Sequence, residues 1–129
     1  MLESFSMNLQ VKELNHVALH VADVIISRDF YSNVLKMKQL ERPAFDFPGA
    51  WFQIGTHQEL HLIGDRTELV VSGTRSNHFA LEVENLSDWE QHLMELQATY
   101  RPPKPRPDGI AQLFVKDPDG YWIELFARS

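Results

Sequence analysis

The chain has 129 residues, 43% hydrophobic and 23% charged, the balance of a folded protein able to bury a core. A net charge of −6 leaves no cationic surplus to neutralise phosphates, so nucleic acid is not an expected partner. The absence of cysteine removes disulfides, thiolate nucleophiles and cysteine-bound zinc. No apolar run approaches the roughly 20 residues of a membrane span, and the start lacks the basic and apolar regions of a signal peptide, so the expected compartment is the cytoplasm.

Residues 1–12 read as a poorly anchored extension. Leu14 to Val21 alternates as a strand, with Val17, Leu19 and Val21 on one face and His16, Ala18 and His20 on the other. Asp23 is placed to cap a helix running to about Lys36, burying Phe30, Tyr31, Val34 and Leu35. A strand is predicted over Met37 to Pro43, then a turn at Phe45-Asp46-Phe47-Pro48-Gly49. Ala50 to Ile54 and Glu59 to Gly64 form a predicted hairpin. Residues 65–76 read as a linker interrupted by Leu69-Val70-Val71.

Asn77 to Val83 is the next predicted strand. Ser87 with Glu90 fits a capping box for a helix to about Ala98. Tyr100 to Lys104 is a short strand that prolines confine to an edge. Ile110 to Lys116 and Tyr121 to Ala127 pair across Asp117-Pro118-Asp119-Gly120, which suits a type I turn followed by a bulge.

The second half repeats the first. Asn15-His16-Val17-Ala18-Leu19 returns as Asn77-His78-Phe79-Ala80-Leu81, 62 residues on. Tyr31 and Val34 map onto Leu93 and Leu96, and Phe52 is expected to map onto Phe114. Leu60-His61-Leu62 returns as Ile123-Glu124-Leu125 at an offset of 63. The expectation is an α+β fold of two tandem βαβββ modules, residues 13–64 and 77–129, with mixed curved sheets forming a half-open barrel around a metal site.

The repeat places a metal-capable side chain on the first and last strand of each module. Strand parity sends the apolar neighbours toward the helices and leaves His16, His61, His78 and Glu124 on the opposite face. Three imidazoles and a carboxylate suit Ni²⁺, Zn²⁺, Mn²⁺, Co²⁺ or Fe²⁺ rather than Ca²⁺. Burying Glu124 between Ile123 and Leu125 demands a compensating cation, and a metal is the expected one rather than an arginine. Trp51, Phe52 and Trp122 are candidate walls of a substrate pocket, Trp122 sharing the parity of Glu124. Arg101, Lys104 and Arg106, His57 on a turn and His92 on a helix read as solvated, and His20 as a rim residue.

The pattern resembles the vicinal oxygen chelate superfamily, which includes glyoxalase I, fosfomycin-resistance thiol transferases, extradiol dioxygenases and bleomycin-resistance proteins. The resemblance is carried by the two Asn-His strands, Arg28 to Met37, Glu59 to Ile63, and Leu113 to Leu125 with its Asp-Pro-Asp-Gly turn. It covers about residues 13–127. It implies paired modules around a divalent metal, and a homodimer whose sites combine His16 and His61 of one module with His78 and Glu124 of another. It implies an enzyme of lyase, isomerase or transferase type, with Glu124 and His61 catalytic, acting on a small carbonyl or oxyanion substrate with a possible thiol cosubstrate. The alternatives within the resemblance are a metal-free ligand-sequestering protein and an Fe(II) dioxygenase. The chain departs from the family in having Leu35-Lys36-Met37 where Leu-Gly-Met is common, and His61 where glyoxalase I typically has Glu.

Overall fold

The computed structural model describes residues 6–128. The first module comprises β1 (His16–His20), α1 (Val24–Asp29), β2 (Lys38–Leu40), β3 (Gly49–Ile54) and β4 (Gln58–Ile63). The second comprises β5 (Phe79–Glu82), α2 (Leu86–Glu95), β6 (Tyr100–Pro105), β7 (Ala111–Lys116) and β8 (Trp122–Ala127). Each builds a four-stranded mixed sheet, ordered β1-β4-β3-β2 and β5-β8-β7-β6. In each, the first strand runs parallel to the last and the other pairs are antiparallel. The predicted α+β fold of two βαβββ units is the observed one. No helix among the described residues is long and apolar enough to cross a membrane.

The core forms where the predicted apolar faces meet the helices. Leu60 and Leu62 of β4, Ile123 and Leu125 of β8, and the helical Tyr31 and Leu93 are all sealed from solvent. Asp23 caps α1, accepting from the amides of Ile25 and Ile26. The helix then widens into a π-helical turn, Phe30–Val34. The second helix starts earlier than Ser87. Asn85 is its cap and accepts from the amide of Asp88 at 3.0 Å. Asn caps as well as Ser does, and the earlier start carries Leu86 into the core. The strand after α1 is shorter than Met37 to Pro43, because Arg42 turns the chain by donating to the Phe47 carbonyl at 2.9 Å.

Both helices end on a left-handed residue that is not glycine: Lys36 at φ 58° and Gln97 at φ 55°. After α2 the amide of Ala98 returns to the Leu93 carbonyl and that of Gln97 to the Met94 carbonyl, the two bonds of a Schellman cap. A side chain in this conformation is strained by about 1 kcal/mol, so Gln97→Gly is expected to stabilise the fold by up to that amount. Urea midpoints check it; a destabilised Gln97→Gly chain would mean that the side chain contributes something the cap geometry does not.

The Asp-Pro-Asp-Gly turn does more than close a hairpin. Asp117 Oδ1 accepts from the amides of Asp119 and Tyr121, and Oδ2 accepts from the Tyr31 hydroxyl at 2.7 Å. Asp119 accepts from the Ala22 amide, the Ser27 hydroxyl and Arg66 Nη2 at 2.8, 3.0 and 2.7 Å. The Tyr121 hydroxyl donates to the His20 carbonyl. One turn of the second module thereby grips the first module and the intervening segment. His92 adds to this seam, its Nε2 2.9 Å from the Val34 carbonyl, so it is a packing residue and not a solvated one.

Candidate metal centre

The strand register confirms the parity argument. Ala18 lies beside His61 in the first sheet and Ala80 beside Glu124 in the second. The four candidate donors therefore occupy matched positions on the faces away from the helices, but they form two pairs and not one quartet. His16 and His61 stack with ring centroids 4.3 Å apart. His78 Nε2 and Glu124 Oε1 lie 3.1 Å apart. Among the described residues no three His, Asp or Glu side chains come close enough to hold an ion together.

His16 and His61 each have one ring nitrogen engaged, and His78 has both. His78 Nδ1 is 3.0 Å from the carbonyls of Gly73 and Ser76, so it carries the proton and donates. That leaves the Nε2 lone pair facing the Glu124 carboxylate. Two acceptors at this distance need a proton or a cation between them. His16 Nδ1 lies 2.8 Å from Asn15 Oδ1, and His61 Nε2 lies 2.8 Å from Glu59 Oε1. Hydrogen bonding of the second ring nitrogen to a carbonyl or carboxylate is how metal-bound histidines are oriented. The donor chemistry of each pair thus fits half of a divalent site.

An arginine does compensate Glu124, contrary to the expectation of a metal alone. Arg106 Nη1 lies 3.3 Å from Glu124 Oε2, and its Nη2 lies 2.7 Å from Asp108 Oδ2. Arg106 lies between Pro105 and Pro107, and its side chain is 28% exposed, so it is not the solvated residue expected. The pairing holds the Asp108 carboxyl below its usual range and the Arg106 guanidinium above its own.

The aromatic residues divide by face. Trp51 pairs with His61 across β3 and β4 and stacks on its ring at 4.0 Å and 5°. Phe52, one residue on, faces the helices; it is fully buried against Tyr31 and is core, not pocket wall. The residue equivalent to Trp51 is Phe114, which pairs with Glu124 and meets the His78 ring edge-on at 5.2 Å. The repeat offset on these strands is 63, so Phe52 does not map onto Phe114, and sequence reasoning missed Phe114 by a single residue. Carrying the offset of the neighbouring His61 and Glu124 strands back to β3 and β7 would have found it. Trp122 sits under Arg101 and Lys116, 5.2 and 5.4 Å from its ring centre. Arg101 and Lys104 line a cleft of about 500 Å³ with Arg75, Gln112 and Phe114, which brings cationic groups to the edge of the second pair. His20 stays at the rim, its Nε2 3.0 Å from the Gly64 carbonyl. Glu82 pairs with Arg128.

A profile of the Glyoxalase/Bleomycin resistance protein/Dioxygenase superfamily matches residues 13–125, and the chain belongs to that superfamily. It is 35% identical over 128 residues to the lactoylglutathione lyase of Escherichia coli O157:H7, spanning 90% of this chain and 93% of that one. It is 32% identical over 125 residues to Glyoxylase I 4 of Arabidopsis thaliana, spanning 91% and 71%. The crystal structure of a glyoxalase family protein from Enterococcus faecalis has the same fold, with a TM-score of 0.72 at 25% identity over 89% of this chain and 97% of that one.

Proposed function

We propose that the chain is a divalent-metal-dependent enzyme of glyoxalase type, working as a homodimer. The observation that carries this is the matched placement of the two donor pairs, His16 with His61 and His78 with Glu124, each a half-set within one sheet. In a two-fold dimer the first pair of one copy and the second pair of the other complete a set of four. A bound divalent ion would supply Lewis acidity toward a carbonyl oxygen of the substrate. Glu124 and His61 are the groups placed to move a proton beside it, and Trp51 fixes the plane of the His61 ring. The cationic cleft of Arg75, Arg101 and Lys104 favours a substrate with an anionic arm. The lactoylglutathione lyase among the relatives supports a lyase acting on an adduct of a small carbonyl compound with a thiol cosubstrate.

One observation favours a second reading, a metal-free ligand-binding protein: Arg106 already neutralises Glu124. A thermal-shift series separates the two. The enzyme reading expects Ni²⁺, Zn²⁺ or Mn²⁺ to raise the melting temperature, and EDTA to abolish the rise; 100-fold excess over the dissociation constant corresponds to about 2.7 kcal/mol. No response to any divalent ion, with stabilisation only by an organic ligand, overturns it in favour of the binder.

A further inference from the structure

Behind the second sheet lies a cavity that neither donor pair touches. It holds about 390 Å³ and opens between the two modules. The first module contributes Met37, just before β2, and Ile54 of β3; the second contributes Leu81 of β5, Trp89 of α2 and Leu125 of β8. Leu81 and Leu125 are register partners, each one residue past Ala80 and Glu124. Successive strand residues point to opposite faces, so the cavity and the His78–Glu124 pair lie on opposite sides of one sheet. A molecule bound here is not the substrate of that pair.

The walls are apolar and the rim is cationic. Met37, Ile54, Leu81 and Trp89 are part-buried against the core, and Leu125 is sealed from solvent. Lys36 and Lys38 stand exposed at the rim. No carboxylate among the described residues lies within ion-pair distance of either ammonium. Glu82 also lines the cavity, but Arg128 neutralises it at 3.1 Å. Asp88 lies past Trp89, in a separate hollow. On a chain of net charge −6, two unpaired cations over an apolar hollow select an anion with an apolar body. Lys36 is also held at φ 58°, a conformation in which glycine is unstrained. A lysine kept there puts an ammonium on the rim that glycine would leave bare, and strained residues of this kind gather at ligand clamps.

We propose that this cavity binds a small aryl carboxylate, its ring against Trp89, Ile54 and Leu81 and its carboxylate at Lys36 and Lys38. Charge-assisted hydrogen bonds from the two ammoniums hold the head, and the flat body displaces water from the walls. Because the walls come from both modules, the occupant braces one against the other behind the sheet that carries His78 and Glu124. This is a second ligand site, independent of the metal reading.

Calorimetric titration with 2-naphthoate tests it, with 2-naphthamide as the uncharged counterpart and EDTA present so that no metal enters the result. The expected outcome is saturation at one naphthoate per chain and binding of the amide at least about tenfold weaker. Lys36→Gly/Lys38→Gln should weaken naphthoate by at least about tenfold while staying folded, because glycine adopts the conformation at position 36 freely and position 38 is exposed. Amide chemical-shift changes on the unaltered chain should gather at residues 36–38, 53–55 and 81–83. No saturable binding, an amide that binds as tightly as the acid, or a double variant that binds like wild type overturns the proposal. So do shifts centred on Thr74, Arg75 and Gln112, which put the anion in the donor-face cleft. Shifts at 36–38 and 81–83 that follow protein concentration alone, with naphthoate excluded, give the cavity to a second copy and overturn it as well.

Discussion

Replacing Asp119 by alanine is expected to destabilise the fold by about 3 kcal/mol, a fall in Tm on the order of 10 °C. The carboxylate accepts from the Ala22 amide, the Ser27 hydroxyl and Arg66, and Ser27 is only 1% exposed, so water cannot replace it there. The loss falls on the seam between modules rather than within either core. Asp119→Asn keeps one acceptor oxygen and should lose roughly half as much. Urea unfolding with a fixed m-value checks both; a change under about 1 kcal/mol for the alanine variant would show that the turn is only a turn.

The neighbouring Tyr31 adds a pH signature. Burial first, then the Asp117 carboxylate, pushes its hydroxyl well above the ordinary tyrosine value. A group with a raised folded pKa stabilises the fold below its unfolded pKa and loses that contribution as pH rises toward the folded one. For a tyrosine this loss begins near pH 10. Tyr31→Phe should start less stable at neutral pH, because a buried acceptor loses its donor, yet decline less steeply on the alkaline side.

Removing the charge of Glu124 is the second large effect. Glu124→Gln is expected to weaken divalent binding by about a hundredfold or more, which is about 2.8 kcal/mol, with turnover falling in step. His78→Ala and His61→Ala should fall in the same direction with their circular dichroism unchanged. Equal mixtures of the His61→Ala and Glu124→Gln chains distinguish sites built across two copies from sites built within one. Across copies, each mixed dimer holds one intact site, and roughly a quarter of wild-type activity returns. Within one copy every site is defective and nothing returns. Undiminished metal binding in Glu124→Gln would remove the carboxylate from the proposed set.

Much of this architecture was legible in the sequence because duplication prints the same pattern twice. The two Asn-His strands, the Asp23 cap and the apolar-polar-apolar triplets at Leu60 and Ile123 located both sheets and both donor pairs. What escaped depended on distances the sequence does not carry. The offset slips from 62 to 63 between the helices and β3, where the module loops differ in length and Pro102 and Pro103 break the register of β6. Parity cannot be counted through such a break, so the sequence does not separate Phe52, on the helix face, from Trp51 and Phe114, beside His61 and Glu124. Arg106 escaped because a proline-flanked cation in a loop gives no sign of where it folds back. The seam escaped because it joins residues up to 101 positions apart, His20 and Tyr121, that share no periodicity.

The parallel pairing of β1 with β4, and of β5 with β8, has an evolutionary consequence. Because the opening and closing strands of a module lie side by side, both of its donors are written into one stretch of gene shorter than 50 codons. A single unit of this kind carries half a set, and two such units meeting face to face would already offer four donors. With both units on one chain the equivalent positions need not match, and imidazole stands at His61 where carboxylate stands at Glu124.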